Sequence, residues 1–209
     1  MPLPSKLSLY LGLAIALACP PLLAEETLPW YVGGSFGASK FDFDGIAGKI
    51  DSDLVNGGTF PSSATSVTDD DDIGLKGYVG YQFSKYFGGE VGFFSPGQSV
   101  LRTQTPGETF VGSADVSGWF AEFVATLPLG EKFSVHAKAG PFFWRVDTRL
   151  PSTTTSTSVV NKYDGIDLTA GVGLGYAIND QIGARVEIER FQFDDDTIDY
   201  ISAGLLIRF

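Results

Sequence analysis

The sequence predicts an all-β protein, an eight-stranded antiparallel transmembrane β-barrel. Three observations lead there. Apolar residues recur with a period of two, and no window holds helical spacing for long. The two faces of the strands differ in the way that lipid outside and a narrow lumen inside would require. The connections mostly alternate between long and short.

Taken in order, the first strand spans Trp30 to Ser39 and opens on an aromatic. The second, Ile73 to Ser84, sets Leu75, Gly77, Val79, Tyr81 and Phe83 against Lys76, Tyr78, Gly80 and Gln82. The third runs from Tyr86 to Phe94, the fourth from Val116 to Leu127 and the fifth from Phe133 to Trp144. In the sixth, Gly165 to Ala177, the residues Ile166, Leu168, Ala170, Val172, Leu174 and Tyr176 oppose Asp167, Thr169, Gly171, Gly173 and Gly175. The seventh spans Ile182 to Phe193. The eighth, Ile198 to Phe209, sets Ile201, Ala203, Leu205, Ile207 and Phe209 against Tyr200, Ser202, Gly204, Leu206 and Arg208. Alternate residues of a strand share a face, so one face of these strands is apolar through its middle and the other holds most of the glycine and charge. A soluble barrel would turn its apolar face inward. Here the small and charged residues fit a narrow interior, and the bulky apolar ones fit lipid.

The long connections are Lys40 to Asp72, Ser95 to Asp115 and Arg145 to Asp164. The short ones lie at Lys85, Pro128 to Lys132 and Ile178 to Gln181, the last centred on Asn179-Asp180, which suits a tight turn. The connection Asp194 to Thr197 breaks the alternation because it is short where a long one is due. An even strand count places both termini at one end. Outward aromatics then gather at two levels: Trp30, Phe83, Phe87, Phe133, Tyr176 and Phe209 at the terminal end, and Phe93, Trp119 and Phe143 at the other. Aromatic rings favour a lipid-water boundary, although aromatics are also ordinary strand formers.

Composition agrees with an apolar surface or a large core. Of 209 residues, 44% are hydrophobic and 19% charged, and one domain is the default at this length. A net charge of −11 argues against recognition of nucleic acid through a basic patch. Residues 1 to 24 have the features of a secretory signal: Lys6, an apolar run from Leu7 to Ala18, and Pro20-Pro21 before Leu22-Leu23-Ala24. The run is too short for a transmembrane helix, which needs about 20 apolar residues. A lipoprotein anchor at Cys19 is the alternative, but Ala16-Leu17-Ala18-Cys19 lacks the leucine usual three positions before the cysteine. Cleavage after Ala24 leaves a domain of residues 25–209, removes Lys6 and the only cysteine, and takes the net charge to −12. Neither a disulfide nor a thiolate metal site is then possible.

Two segments carry a family resemblance. Gly77-Tyr78-Val79-Gly80-Tyr81-Gln82-Phe83 followed by Gly89-Glu90-Val91-Gly92-Phe93-Phe94 resembles a hairpin of the OmpA-like eight-stranded outer-membrane barrels. Ser202-Ala203-Gly204-Leu205-Leu206-Ile207-Arg208-Phe209 is similar to the terminal signal read by the barrel assembly machinery, with Ser202, Gly204, Ile207 and Phe209 as its expected elements. The resemblance covers the whole chain after the signal. It implies a Gram-negative outer-membrane location, termini in the periplasm, contact with outer-membrane lipid and lipopolysaccharide, and a monomer. The chain stops at Phe209, so the periplasmic peptidoglycan-binding domain of full-length members is expected to be absent, and cell-wall tethering is not carried over.

The inward faces hold Lys76, Glu90, Glu122, His136, Lys138, Asp167, Arg185, Glu187, Glu189 and Arg208. The resemblance implies a salt-bridged plug, since an eight-stranded barrel has room only for its own side chains; a proton or ion path is the functional alternative. Counting back from the turn at Pro128 to Lys132 sets Glu122 opposite His136 or Lys138. Ser134, His136 and Glu122 together invite a serine-hydrolase reading, such as a lipid-modifying enzyme. Residues two apart on a strand lie about 6 to 7 Å apart, however, where a catalytic pair needs contact near 3 Å, and they face away from lipid. No catalytic role is expected. Asp69 to Asp72 and Asp194 to Asp196 could attract divalent cations, but no calcium-loop spacing accompanies them and solvated loop ends are the simpler reading. No cofactor or metal is expected. The run Ser152 to Ser158 reads as a loop. The expected function is a structural or surface-interaction role through the extracellular loops, with a narrow pore as the alternative.

Overall fold

The computed structural model describes residues 28–42, 65–69, 71–105, 108–151, 158–194 and 196–209. The signal segment lies outside them, as do residues 152–157 of the Ser/Thr run. The strands are β1 (Trp30–Asp42), β2 (Thr65–Asp69), β3 (Asp71–Gln82), β4 (Phe87–Ser95), β5 (Gln98–Thr105), β6 (Glu108–Leu129), β7 (Phe133–Pro151), β8 (Ser158–Ala177), β9 (Ile182–Phe193) and β10 (Asp196–Arg208). They form one antiparallel sheet in the order β2-β5-β6-β4-β3-β1-β10-β9-β8-β7, and pairing of β6 with β7 closes it. Without β2 and β5 this is an eight-stranded barrel whose edges all meet. Closure leaves no unpaired strand in the barrel wall, the condition for crossing a bilayer with strands.

The predicted strands match these elements to within two residues at the terminal end, where Phe83, Ser84, Tyr86 and Phe209 fall just outside β3, β4 and β10, but the long connections need correcting. Ser95 to Asp115 contains β5 and the start of β6, Lys40 to Asp72 contains β2, and Arg145 to Asp164 is largely the upper parts of β7 and β8. These segments are polar. A ladder in water needs no apolar face to satisfy its backbone, so the alternation that marks the barrel strands is missing where the sheet runs on beyond them.

The short turns follow from local chemistry. Asn179 Oδ1 accepts the amides of Gln181 and Ile182 at 2.9 and 2.7 Å. Ser84 Oγ accepts those of Tyr86 and Phe87 at 3.3 and 3.2 Å. Gly130, between β6 and β7, has φ of 77°, a backbone state that glycine reaches without strain.

The β6–β7 register corrects one expectation. Val124 faces Lys138 and Thr126 faces His136, so Glu122 lies two or four positions further along the strand than the turn count placed it. The ladder has a gap between Phe120↔Phe142 and Phe123↔Ala139, where Pro141 has no N–H to give. Gly140 fills that gap because a side chain there would strike the Ala121 carbonyl.

A belt of exposed large apolar side chains surrounds the barrel. It includes Phe36, Leu75, Val91, Trp119, Phe123, Leu168, Val172, Leu174, Ile188, Ile201 and Leu205. Such a continuous apolar surface is costly in water and natural in lipid. Lys40, Asp42, Arg145, Lys162, Asp164 and Arg190 are exposed beyond one edge of the belt, and Arg190 there holds the half-buried Asp199 through two bonds of 2.6 and 2.7 Å. Trp30, Phe83, Phe87, Phe133, Tyr176 and Phe209 point outward at the terminal end, and Phe93, Trp119 and Phe143 point outward nearer the other.

The lumen and outer rim as candidate functional site

Inward residues sort by height. Towards the terminal end the lumen is charged and hydrogen-bonded, and towards the extended end it is aromatic. The charged tier is built from Lys76 on β3, Glu90 on β4, Glu122 on β6, His136 and Lys138 on β7, and Arg185, Glu187 and Glu189 on β9. All but Arg185 are buried.

Lys138 is its centre. Its ammonium lies 2.7 Å from Glu189, 2.9 Å from Glu187, 3.7 Å from Glu122 and 4.0 Å from Glu90. Lys76 bonds Glu187 at 2.6 Å and also Glu189. Arg185 pairs with Glu90, whose carboxylate also accepts the Tyr31 hydroxyl at 2.7 Å. Glu122 accepts the Thr169 hydroxyl at 3.1 Å. Charges in so poorly solvated a space persist only when paired, and here each carboxylate has a cationic neighbour.

Glycines on β8 make this tier possible. His136 is in register with Gly173, and Gly173 with Glu187. With no side chain between them, His136 Nε2 reaches Glu187 Oε1 at 2.8 Å.

Two residues of the expected set stand apart from these pairs. Arg208, near the terminal end of β10, is in register with Tyr31. Asp167 sits at the outer rim, where one carboxylate oxygen accepts the Trp144 indole N–H at 2.7 Å and the Asp194 amide at 2.8 Å. Of the signal residues, Ser202 and Gly204 lie on the inward face of β10, Ile207 lies on its outward face and Phe209 is exposed just past its end. Ser134, His136 and Glu122 do not assemble a hydrogen-bonded relay, because His136 is engaged by Glu187 and Glu122 by Thr169 and Lys138. No metal-binding group of three or more His, Cys, Asp or Glu exists among the described residues.

The aromatic tier was not anticipated from the sequence. Phe94, Phe120, Phe142, Trp144, Phe191, Phe193, Ile198 and Tyr200 pack in one buried cluster. Phe94 and Phe191 stack at 4.1 Å between centroids. The available signal was the change from Glu189 to Phe191 and Phe193 along the inward face of β9. Bulky apolar residues on the inward face look, residue by residue, like those that face lipid, which hides the tier in the sequence.

A family model for the OmpA-like transmembrane domain matches residues 25–203. Outer membrane protein A of Serratia marcescens is 23% identical over 182 residues, covering 86% of this chain and 47% of its own length. The Shigella dysenteriae protein of the same name is 26% identical over 166 residues, covering 79% and 42%. The chain thus spans about half the length of the curated relatives it matches. Among solved structures, OprG of Pseudomonas aeruginosa superposes with a TM-score of 0.55 at 13% identity, covering 89% of this chain and 99% of that one. Ail, the attachment invasion locus protein of Yersinia pestis, gives 0.52 at 15% identity, covering 88% and 99%.

Proposed function

Since the chain belongs to the OmpA-like transmembrane-domain family and is an integral protein of the Gram-negative outer membrane, we propose that it is a closed, non-conducting barrel whose activity resides in its extracellular sheet. The filled lumen carries this reading: a charged tier and an aromatic tier succeed one another along the barrel. In such barrels the short turns face the periplasm and the long segments face outward, so the sheet of β2, β5 and the upper parts of β6, β7 and β8 is the part presented outside the cell. Barrel assembly through the terminal strand and a monomeric state in the membrane accompany this reading.

Planar-bilayer recording tests it. The expected result is no ion conductance above lipid background. Reproducible conductance steps would favour the pore, for which the paired charges of the lower tier are the supporting feature, since buried charges in membrane proteins often mark ion paths. The name of the Yersinia neighbour, an attachment protein, is consistent with a surface role. Comparison of cell adhesion between a deletion strain and its complemented parent would measure that role directly.

A further inference from the structure

The outward face of the barrel is not evenly bulky. Gly34 on β1 and Gly77 on β3 are in register, and both face outward. A Cβ at Gly77 would meet nothing within 4 Å, and one at Gly34 would meet only the Lys76 carbonyl at 3.6 Å. The two backbones are the floor of a recess of about 570 Å³ in the lipid-facing belt, with Phe36, Leu75, Phe93 and Ser95 on its rim. Leu205, in register with Gly34, and the paired Val32 and Val79 stand around its other sides.

A void against hydrocarbon leaves its lining without dispersion partners, so an apolar group fills it. The depth of the recess in the membrane says which group. Gly77 and Phe83 share the outward face six residues apart, which is roughly 20 Å of strand at about 3.3 Å per residue. At a strand tilt of about 40° this is roughly 15 Å along the membrane normal, half of a hydrocarbon core about 30 Å thick. The recess therefore lies one leaflet's depth from the aromatic rim at the terminal end, at the level where acyl chains terminate.

A cation stands at that rim. Lys85 is exposed in the turn between β3 and β4. Its ammonium lies 5.9 Å from the Tyr86 ring and has no ion-pair partner among the described residues. Trp30, Tyr81 and Phe83 pack beside the turn, with centroid distances of 4.8 and 5.5 Å. Aromatic rings of this kind mark the lipid-water boundary, where lipid phosphates lie, and a lysine ammonium meets a phosphate as a point charge.

We propose that the barrel holds one anionic phospholipid of the periplasmic leaflet, with its phosphate at Lys85 and the end of one acyl chain in the recess over Gly34 and Gly77. The chain between these points lies against the exposed Val79 and Val91, which are in register. Either contact alone would treat this lipid like its neighbours, because every belt residue meets acyl chains and an exposed charge is screened by salt. Two contacts one leaflet apart fix a single molecule, since the second forms within an already tethered lipid. The unpaired cation selects a headgroup that carries net negative charge. The inference rests on the periplasmic placement of the short turns and not on the closed lumen, because both contacts lie on the outside of the barrel.

The test uses the full chain refolded into phosphatidylcholine vesicles that carry a trace of phosphatidylglycerol with a diazirine at one chain end. Peptide mapping after irradiation should find the adducts concentrated at Phe36, Leu75 and Phe93, above the level at Leu168, Val172 and Leu174 on the opposite wall. A diacylglycerol probe with the same chain should label the recess about fivefold less, the share that one surface lysine contributes to anionic-lipid attraction. Lys85→Gln should bring the phosphatidylglycerol probe down to that level. Gly77→Leu enters open space and keeps the heat-dependent gel shift; it should remove the concentration of adducts at the recess and leave labelling of β8 unchanged. Even labelling around the belt, equal labelling by the two probes, or a recess still labelled in Gly77→Leu would each overturn the proposal. So would cross-linking of two protein copies through the recess, or displacement of the probe by lipid A more strongly than by unlabelled phosphatidylglycerol.

Discussion

His136 and Glu187 meet at 2.8 Å across a strand that lies between theirs, and Gly173 is the residue they cross. A Cβ at Gly173 would lie 2.5 Å from His136 Nε2. Position 173 is therefore part of the ion-paired tier although it contributes no side chain.

Gly173→Val should accordingly act as both an overpacking change and a break in the network. Overpacking of a filled interior costs about 1–3 kcal/mol, and separation of His136 from Glu187 adds to it. Urea unfolding in lipid vesicles should show the loss. Gly77→Ala is the control, because a Cβ there meets nothing within 4 Å; it should leave the midpoint unchanged.

Lys138 lies near four carboxylates, with Glu122 and Glu90 on the periphery of that set at 3.7 and 4.0 Å. Lys138→Ala should cost about 3–5 kcal/mol, the range for removing one member of a buried ionic group. Glu122→Gln should cost much less, because Glu90, Glu122, Glu187 and Glu189 outnumber the cations Lys76, Lys138 and Arg185. In a double-variant cycle, Glu122→Ala with Lys138→Ala should recover part of the summed loss. Strict additivity in denaturant titrations would show that the diagonal contact contributes nothing.

The lipid-facing belt gives a prediction that a soluble barrel would not share. Val172 is 56% exposed near the middle of the outward face of β8, so arginine there would be almost free in water. In a bilayer, arginine at mid-depth costs about 2–4 kcal/mol. Val172→Arg should show that destabilisation in vesicles, whereas Gln192→Arg, beyond the belt, should fold normally. Equal stability of the two variants would contradict the membrane-facing assignment.

Asp167 fastens three elements at the rim. Asp167→Ala leaves the Trp144 indole N–H and the Asp194 amide without their acceptor, and each lost bond of this kind costs about 1–3 kcal/mol where the donor is buried. Asp167→Asn keeps a carbonyl oxygen and should lose less. Amide exchange should quicken at the β9–β10 turn first and leave the charged tier unaffected.

The residues that alternate along β3, β8 and β10 were enough to identify a barrel with lipid outside, because period two and the sorting of apolar from small and charged residues are local properties of a strand. The inward charges were legible for the same reason. Their partners were not. Glu122 came out opposite Gly140 instead of His136 or Lys138, because a count from the turn takes no account of how many turn residues stay in the ladder. Asp167 shares a face with the other inward residues, yet its height along β8 places it at the rim, bonded to Trp144 and Asp194.

The sequence by itself therefore determined the eight barrel strands, the alternation of side chains along them, the short turns and the family. Each of these follows from neighbours along the chain. The tertiary structure alone decided which charges meet through the glycines of β8, where the lumen becomes aromatic, and that polar segments around β2 and β5 continue the sheet. These depend on register and strand stagger around a closed barrel, which relate residues as far apart as Lys76 and Glu187 and leave no periodic trace in the chain.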